Sequence, residues 1–241
     1  MDFELLNNNH HQNNLALFKC WNDDYLTYRK ISLSKNSNVL IENEKAGYDW
    51  FFSQIGKEDK TELSIGYYYE INIPEFEGKS FTPDAILTGN EKIIFNFISF
   101  YRKIWNSKNK FSIHGDLALC NIIHKYDDEF MVIDWEHFHS ADFDYFGYDI
   151  INLLFISLHH EFKGITRISD NIFLFMNECF KALFKDISTH NKIVSSPFKN
   201  ACEYLKKNQS KYNLNIPVEN KFVLSRYSSD ELANLDSMIM G

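Results

Sequence analysis

Three oxygen-bearing side chains stand out by type and spacing: Asp116, Asn121 five positions later, and Asp134 thirteen residues beyond that. They lie in the stretches Ile113-His114-Gly115-Asp116-Leu117-Ala118-Leu119-Cys120-Asn121 and Val132-Ile133-Asp134-Trp135-Glu136. Between them, Ile122-Ile123 and Phe130-Met131-Val132-Ile133 flank the turn-prone Asp127-Asp128-Glu129, a pattern that predicts a β-hairpin. A register pairing Lys125 with Phe130 sets Asn121 opposite Asp134, and directly opposed residues face one side of a sheet. An amide oxygen and a carboxylate held together suit Mg²⁺ that is shared with substrate phosphates. Asp116 is then left to meet a substrate hydroxyl. One carboxylate for the nucleophile, with an amide and a second carboxylate for metal, is the layout phosphoryl transfer needs.

The same residues resemble the motifs of the aminoglycoside phosphotransferase and choline kinase group, small-molecule relatives of protein kinases. That group's catalytic loop reads His-Gly-Asp, four residues, then Asn, as in His114-Gly115-Asp116 and Asn121. Its metal-binding motif reads Ile-Asp-Trp/Phe-Glu, as in Ile133-Asp134-Trp135-Glu136. Two motifs in the right order are far more specific than a lone Asp-x-x-x-x-Asn. The resemblance implies an α+β, two-lobed protein-kinase-like fold, with a small N-terminal β-sheet lobe carrying one helix and a larger, mostly helical C-terminal lobe. Residues 1–78 form the first lobe and 79–241 the second, with a hinge at about 74–78. ATP and Mg²⁺ are the implied cofactors, and a hydroxyl on a small molecule is the implied acceptor. In these terms Asp116 is catalytic, and Asn121 and Asp134 hold metal. His114 supports the loop and Glu136 the metal site, while Asp149 ties the next helix to the loop. Asp149 is also a good N-cap for a helix over 150–158.

These residues need elements to position them. Leu15 to Trp21 and Tyr25 to Leu33 read as strands around Asn22-Asp23-Asp24, after a shorter run Phe3 to Leu6. The period of two puts Leu26, Tyr28 and Lys30 on one face of the third strand, with Arg29 on the other. In kinases such a strand lysine contacts the nucleotide phosphates and pairs with a glutamate from the next helix. Ile41, Glu44, Tyr48, Phe51 and Ile55 repeat at helical spacing, so Glu44 falls inside the apolar stripe while Glu42 lies far around. An inward carboxylate needs a cation, because desolvation is costly. Lys30 supplies one. The blander alternative is a solvated Glu44 beside a snorkelling Lys30.

Ile65 to Ile73, centred on Tyr67-Tyr68-Tyr69, predicts a strand that ends at Pro74-Glu75-Phe76-Glu77-Gly78. The resemblance makes this the hinge, with Glu75 and Phe76 at the adenine edge; proline has no N–H to offer, so Phe76 or a neighbour donates. Residues 91–106 read as a core helix, and 171–187, 197–208 and 231–240 as further helices. Gly115 allows the backbone turn that presents Asp116.

Composition narrows the class. The net charge of −8 argues against a general nucleic-acid binder, and no apolar run reaches the ~18 residues of a membrane span. The acidic start Met-Asp-Phe-Glu-Leu-Leu-Asn does not read as a signal peptide. Four cysteines without ligand spacing are expected as reduced thiols in a cytoplasmic protein, Cys120 among them as a space filler. Residues 1–160 carry 14 basic and 24 acidic side chains, which suits cationic acceptors such as amines or is simply solvated acid. His10, His11, His137, His139, His159 and His160 lack the spacing of a zinc site. The polar loop 7–14 holds no glycine, where phosphate-covering loops are usually glycine-rich. Two other classes therefore stay open: a kinase-fold binding protein without turnover, and an enzyme that transfers AMP instead of phosphate.

Overall fold

The computed structural model describes residues 2–8, 14–22, 25–80, 91–105, 111–125, 129–143 and 146–150, with the single positions 153, 186, 189, 200 and 237. Apart from those single positions, the expected helices over 171–187, 197–208 and 231–240 lie outside them, as do most of 150–158, the loop at 9–13, and His10, His11, His159 and His160.

The N-terminal part is an antiparallel sheet of β1 (Asp2–Asn8), β2 (Leu15–Asn22), β3 (Tyr25–Ser32), β4 (Glu62–Ser64) and β5 (Glu70–Pro74), in the order β1-β2-β3-β5-β4. On β3, Lys30 pairs with Leu17 of β2 and with Ile71 of β5. Opposed residues share a face, so the lysine stem is walled by apolar neighbours. Helix α1 (Asn38–Ile55) packs on that face through the stripe expected from the spacing: Ile41, Glu44, Tyr48 and Phe51 are all buried, and Glu42 is exposed.

One strand is shorter than its composition predicts. Tyr67 to Tyr69 do not extend β5, which begins only at Glu70, and Ile65, Tyr67 and Tyr68 are exposed. The Tyr69 N–H donates to Ser32 Oγ at 2.8 Å and to Asn38 Oδ1 at 3.2 Å. Side chains thus take a group that a ladder would otherwise use, and the chain bends there.

Beyond Pro74 come β6 (Lys79–Ser80), α2 (Glu91–Trp105), β7 (Phe111–Ile113), β8 (Ile122–His124), β9 (Phe130–Val132) and β10 (His139–Phe143). Strands β6, β8 and β9 form one small sheet, and β7 pairs with β10. The α2 stripe Phe97, Ile98, Tyr101, Ile104 and Trp105 is buried. Three tryptophans knit these pieces together. Trp105 of α2 stacks nearly parallel to Trp135 at 6.1 Å, and Trp50 of α1 meets both edge-on at 5.0 and 5.8 Å. Aromatic pairs at these separations add to what area burial alone contributes.

The hairpin forms, one residue out of the expected register. His124 pairs with Phe130 and Ile122 with Val132, and the Lys125 N–H donates to Glu129 O at 2.9 Å. Asn121 therefore faces Ile133, whose N–H donates to Asn121 O at 3.0 Å, and not Asp134. A slip of one residue normally turns a side chain to the opposite face. Here Asp134 leaves the strand with a left-handed φ of 69°, and this turn returns its carboxylate to the side of Asn121.

Candidate active site

Lys30 is the centre of the site. Its ammonium donates to Glu44 Oε2 at 2.7 Å, to Asp134 Oδ1, and to Glu136 Oε2 at 3.2 Å. A lysine has three N–H donors, and each goes to a different carboxylate. One comes from α1 and two from the segment after β9, so the side chain joins the N-terminal sheet to the Asp134-Trp135-Glu136 stretch. Burial alone would lower the Lys30 pKa, but the charges of Asp134, Glu44 and Glu136 raise it well above the ordinary value. Burial pushes Glu44 up to about 7 against the opposing pull of Lys30. Asp134 goes the other way: the cost of burying charge is outweighed by Lys30, which holds its carboxyl below the usual range.

The loop after β7 is built by hydrogen bonds to its backbone. Asp149 Oδ2 accepts from the His114 N–H at 2.9 Å, and Oδ1 from the Gly115 N–H at 3.0 Å. Helical structure already begins at 148, so Asp149 lies within it and serves the loop in place of the expected cap. His114 is fully buried; Nε2 donates to Ile133 O at 2.9 Å, and Nδ1 accepts from the Asp116 N–H at 3.3 Å. Burial lowers its pKa to about 4, which keeps the ring neutral at pH 7 and makes it a strut between loop and hairpin. Gly115 has φ 88°, and a Cβ there would lie 2.2 Å from His137 O. Both the dihedral and the space exclude a side chain.

Asn121 Nδ2 donates to Asp116 O at 3.1 Å. Asn121 lines the cleft, and among the described residues its amide oxygen accepts only from the weak Cys120 thiol donor, at 3.5 Å. Cys120 is exposed and lines the cleft, so it is not the space filler expected of it; the bend of the Leu119–Asn121 3-10 turn carries it outward.

The cleft itself is a cavity of about 430 Å³ lined by Lys30, Glu44, Asn121 and Asp134 at one end and by Pro74, Glu75 and Phe76 at the other. Its size falls within the ~300–1,000 Å³ of small-ligand sites. The Glu75 N–H is taken by Leu26 O at 3.1 Å. Among the described residues no backbone group accepts from the Phe76 N–H, and Phe76 lines the cavity. Asp116 is half-buried and does not line this cavity.

Two contributors escaped the motif reading. Gly47 sits in the middle of α1, where a Cβ would come within 2.4 Å of Trp135 Cβ; its absence lets α1 lie directly on the Asp-Trp-Glu segment. A glycine inside a strongly periodic helix costs about 1 kcal/mol, and that is the signal that packing demands it. Tyr48, one turn after Glu44, is buried and lines the cavity.

This architecture, a five-stranded antiparallel sheet with one helix whose buried glutamate holds a strand lysine, is that of a protein-kinase-like fold. Solved structures bear this out. The chain is similar to the ADP-bound aminoglycoside phosphotransferase APH(2'')-Ib, at TM-score 0.52 and 11% identity over 100% of this chain and 92% of that one. It is similar to APH(2'')-IIa, solved as a ternary complex with streptomycin and ATP, at TM-score 0.51 and 10% identity over 100% and 91%. It is also similar to WaaP, solved in complex with acyl carrier protein, at TM-score 0.51 and 9% identity over 87% and 88%. No family model matches the sequence, and no curated protein matches it. Among the described residues no helix is long and apolar enough to cross a membrane.

Proposed function

We propose that the protein is an ATP- and Mg²⁺-dependent phosphotransferase that moves the γ-phosphoryl group to a hydroxyl of a small molecule. The supporting observation is the Lys30 ammonium, gripped by Glu44 and facing Asp134 in a cleft that Pro74, Glu75 and Phe76 also line. The chain is taken to divide near 74–78 into a nucleotide-covering part and a catalytic part. Phe76, with Glu75 beside it, meets the adenine edge. Lys30 neutralises phosphate charge and must first release Asp134 to do so. Asp116 orients the acceptor hydroxyl, while His114, Glu136 and Asp149 hold the catalytic segments in place.

The donor set fits Mg²⁺. Glu44, Asp134 and Glu136 offer carboxylate oxygens within 4.8 Å of one another around a single ammonium, so negative charge is in excess. Asp134 and the Asn121 amide oxygen would hold the ion, hard oxygen ligands of the kind Mg²⁺ prefers. Bound there, it would screen the phosphates while the side chains position the reactants. Candidate acceptors are aminoglycosides, choline or ethanolamine, and sugars or glycan precursors, in line with the streptomycin bound to one similar structure.

The test is consumption of Mg-ATP with and without a panel of such acceptors, with the mass of the product read out. Added phosphate is the expected result; added AMP would mean nucleotide transfer, and no acceptor-dependent consumption would leave a binding protein. Asp116→Ala should lower turnover by about 10²–10⁴-fold, the usual worth of a positioned acid–base group, with nucleotide affinity retained. Undiminished turnover in that variant removes Asp116 from its role.

A further inference from the structure

Arg29 and Lys30 are neighbours on β3 and so point to opposite sides of the sheet. The function proposed above uses only the Lys30 side. On the other side lies a hollow of about 390 Å³, lined by Tyr25, Thr27, Arg29, Lys60, Glu62 and Asn72 among others. That volume again matches a small-molecule site.

The charges in this hollow are uncommitted. Elsewhere in this acidic chain Lys30 is shared by three carboxylates, Lys45 pairs with Asp49 and Asp59, and Lys57 pairs with Glu129. Among the described residues neither Arg29 nor Lys60 has a carboxylate partner, although Glu62 lines the same hollow. Arg29 is nevertheless fixed, because Nε donates to Asn72 Oδ1 at 2.9 Å. The two Nη groups are left as a planar fork, the geometry that grips two oxygens of one anion. Thr27, two residues before Arg29 on the same strand face, also lines the hollow, and the Tyr25 ring, 61% exposed, supplies an apolar wall.

We propose that this hollow binds a small phosphomonoester. The Arg29 fork takes two phosphate oxygens, Lys60 takes the third, and the organic group of the ester lies along Tyr25. The hollow is larger than a bare anion requires, and a divalent phosphate uses both cations where a carboxylate uses one.

The test is calorimetric titration of the full chain with phenyl phosphate, benzoate and phenol. Phenyl phosphate should bind saturably to the wild type and equally to Lys30→Met, whose change lies on the far face. Arg29→Lys and Lys60→Gln should each weaken it by about tenfold or more, the worth of a charge-assisted hydrogen bond. The Lys60 side chain is exposed, so Lys60→Gln reports on binding without disturbing the fold. Phenol should not bind, and benzoate should bind more weakly. Absence of saturable binding, benzoate or phenol binding as tightly, unchanged affinity in Lys60→Gln, or loss in Lys30→Met alone would each overturn the assignment.

Discussion

Glu44 on α1 and Asp149 beyond β10 are both fully buried, and burial lifts both carboxyls to about 7, yet their partners differ in kind. Asp149 accepts two backbone N–H groups, from His114 and Gly115. Glu44 accepts from one lysine that is shared with Asp134 and Glu136, and its other oxygen has no partner among the described residues. Backbone amides cannot leave, whereas an ammonium can exchange one carboxylate for another. The loop that carries Asp116 is therefore fixed by the fold, and the Lys30 cluster is poised to rearrange around an added charge. The phosphotransfer proposed above, with one reactant held rigidly and a metal–phosphate admitted at the other end, would use both kinds of anchoring.

The contrast is broken most directly at Asp149. Asp149→Ala leaves the His114 and Gly115 amides buried with no acceptor, at about 1–3 kcal/mol for each unsatisfied group. We expect about 3 kcal/mol of stability to be lost by urea denaturation, with Asp149→Asn recovering part of it through its one remaining acceptor oxygen. A loss under about 0.5 kcal/mol, the range of ordinary surface substitutions, would show that the loop is held by something else.

At Gly47 the two anchoring schemes touch, because α1 carries Glu44 and rests on Trp135. Gly47→Ala gains about 1 kcal/mol of helix propensity but places a methyl where Trp135 Cβ lies 2.4 Å away. Overpacking of this kind costs about 1–3 kcal/mol. The expected net is a small destabilisation together with weaker Mg-nucleotide binding, since Glu44 is moved off Lys30. Higher stability with unaltered affinity would mean that α1 and Trp135 separate freely.

How far the sequence discloses this depends on what each residue answers to. Lys30 and Glu44 are legible because strand and helix periods fix which way each points, and an apolar stripe interrupted by one acid needs a cation. Spacing brings out Asp116, Asn121 and Asp134 as candidates, but it does not disclose the hairpin register. A shift of one residue between β8 and β9 is offset by the left-handed φ at Asp134, and no periodicity reports a dihedral. The bend at Tyr69 is hidden for a similar reason: it depends on Ser32 and Asn38, 37 and 31 residues away. The Arg29 side of β3 carries no motif, and only the unpaired charges around the hollow bring it out.

The Glu44 carboxyl sharpens the comparison most, because it separates charge from shape. Glu44→Gln keeps the size of the side chain and an oxygen for Lys30, which retains Asp134 and Glu136. In the wild type the raised Glu44 pKa means that the native state holds a proton the unfolded chain has already lost, from about pH 4.5 to about pH 7. Stability from this group is therefore greatest at the acid end of that window and falls as pH rises through it, by up to roughly 1.4 kcal/mol per pH unit. Asp149 contributes in the same direction and His114 in the opposite one, since its pKa of about 4 makes charging it costly to the native state on acidification. Both are common to variant and wild type, so they cancel in the difference. Glu44→Gln should thus gain on the wild type between pH 5 and pH 7 and hold that gain above it, as read from urea midpoints at each pH. Parallel curves for the two proteins would show that Glu44 stays ionised throughout, firmly paired, with no slack in the Lys30 cluster.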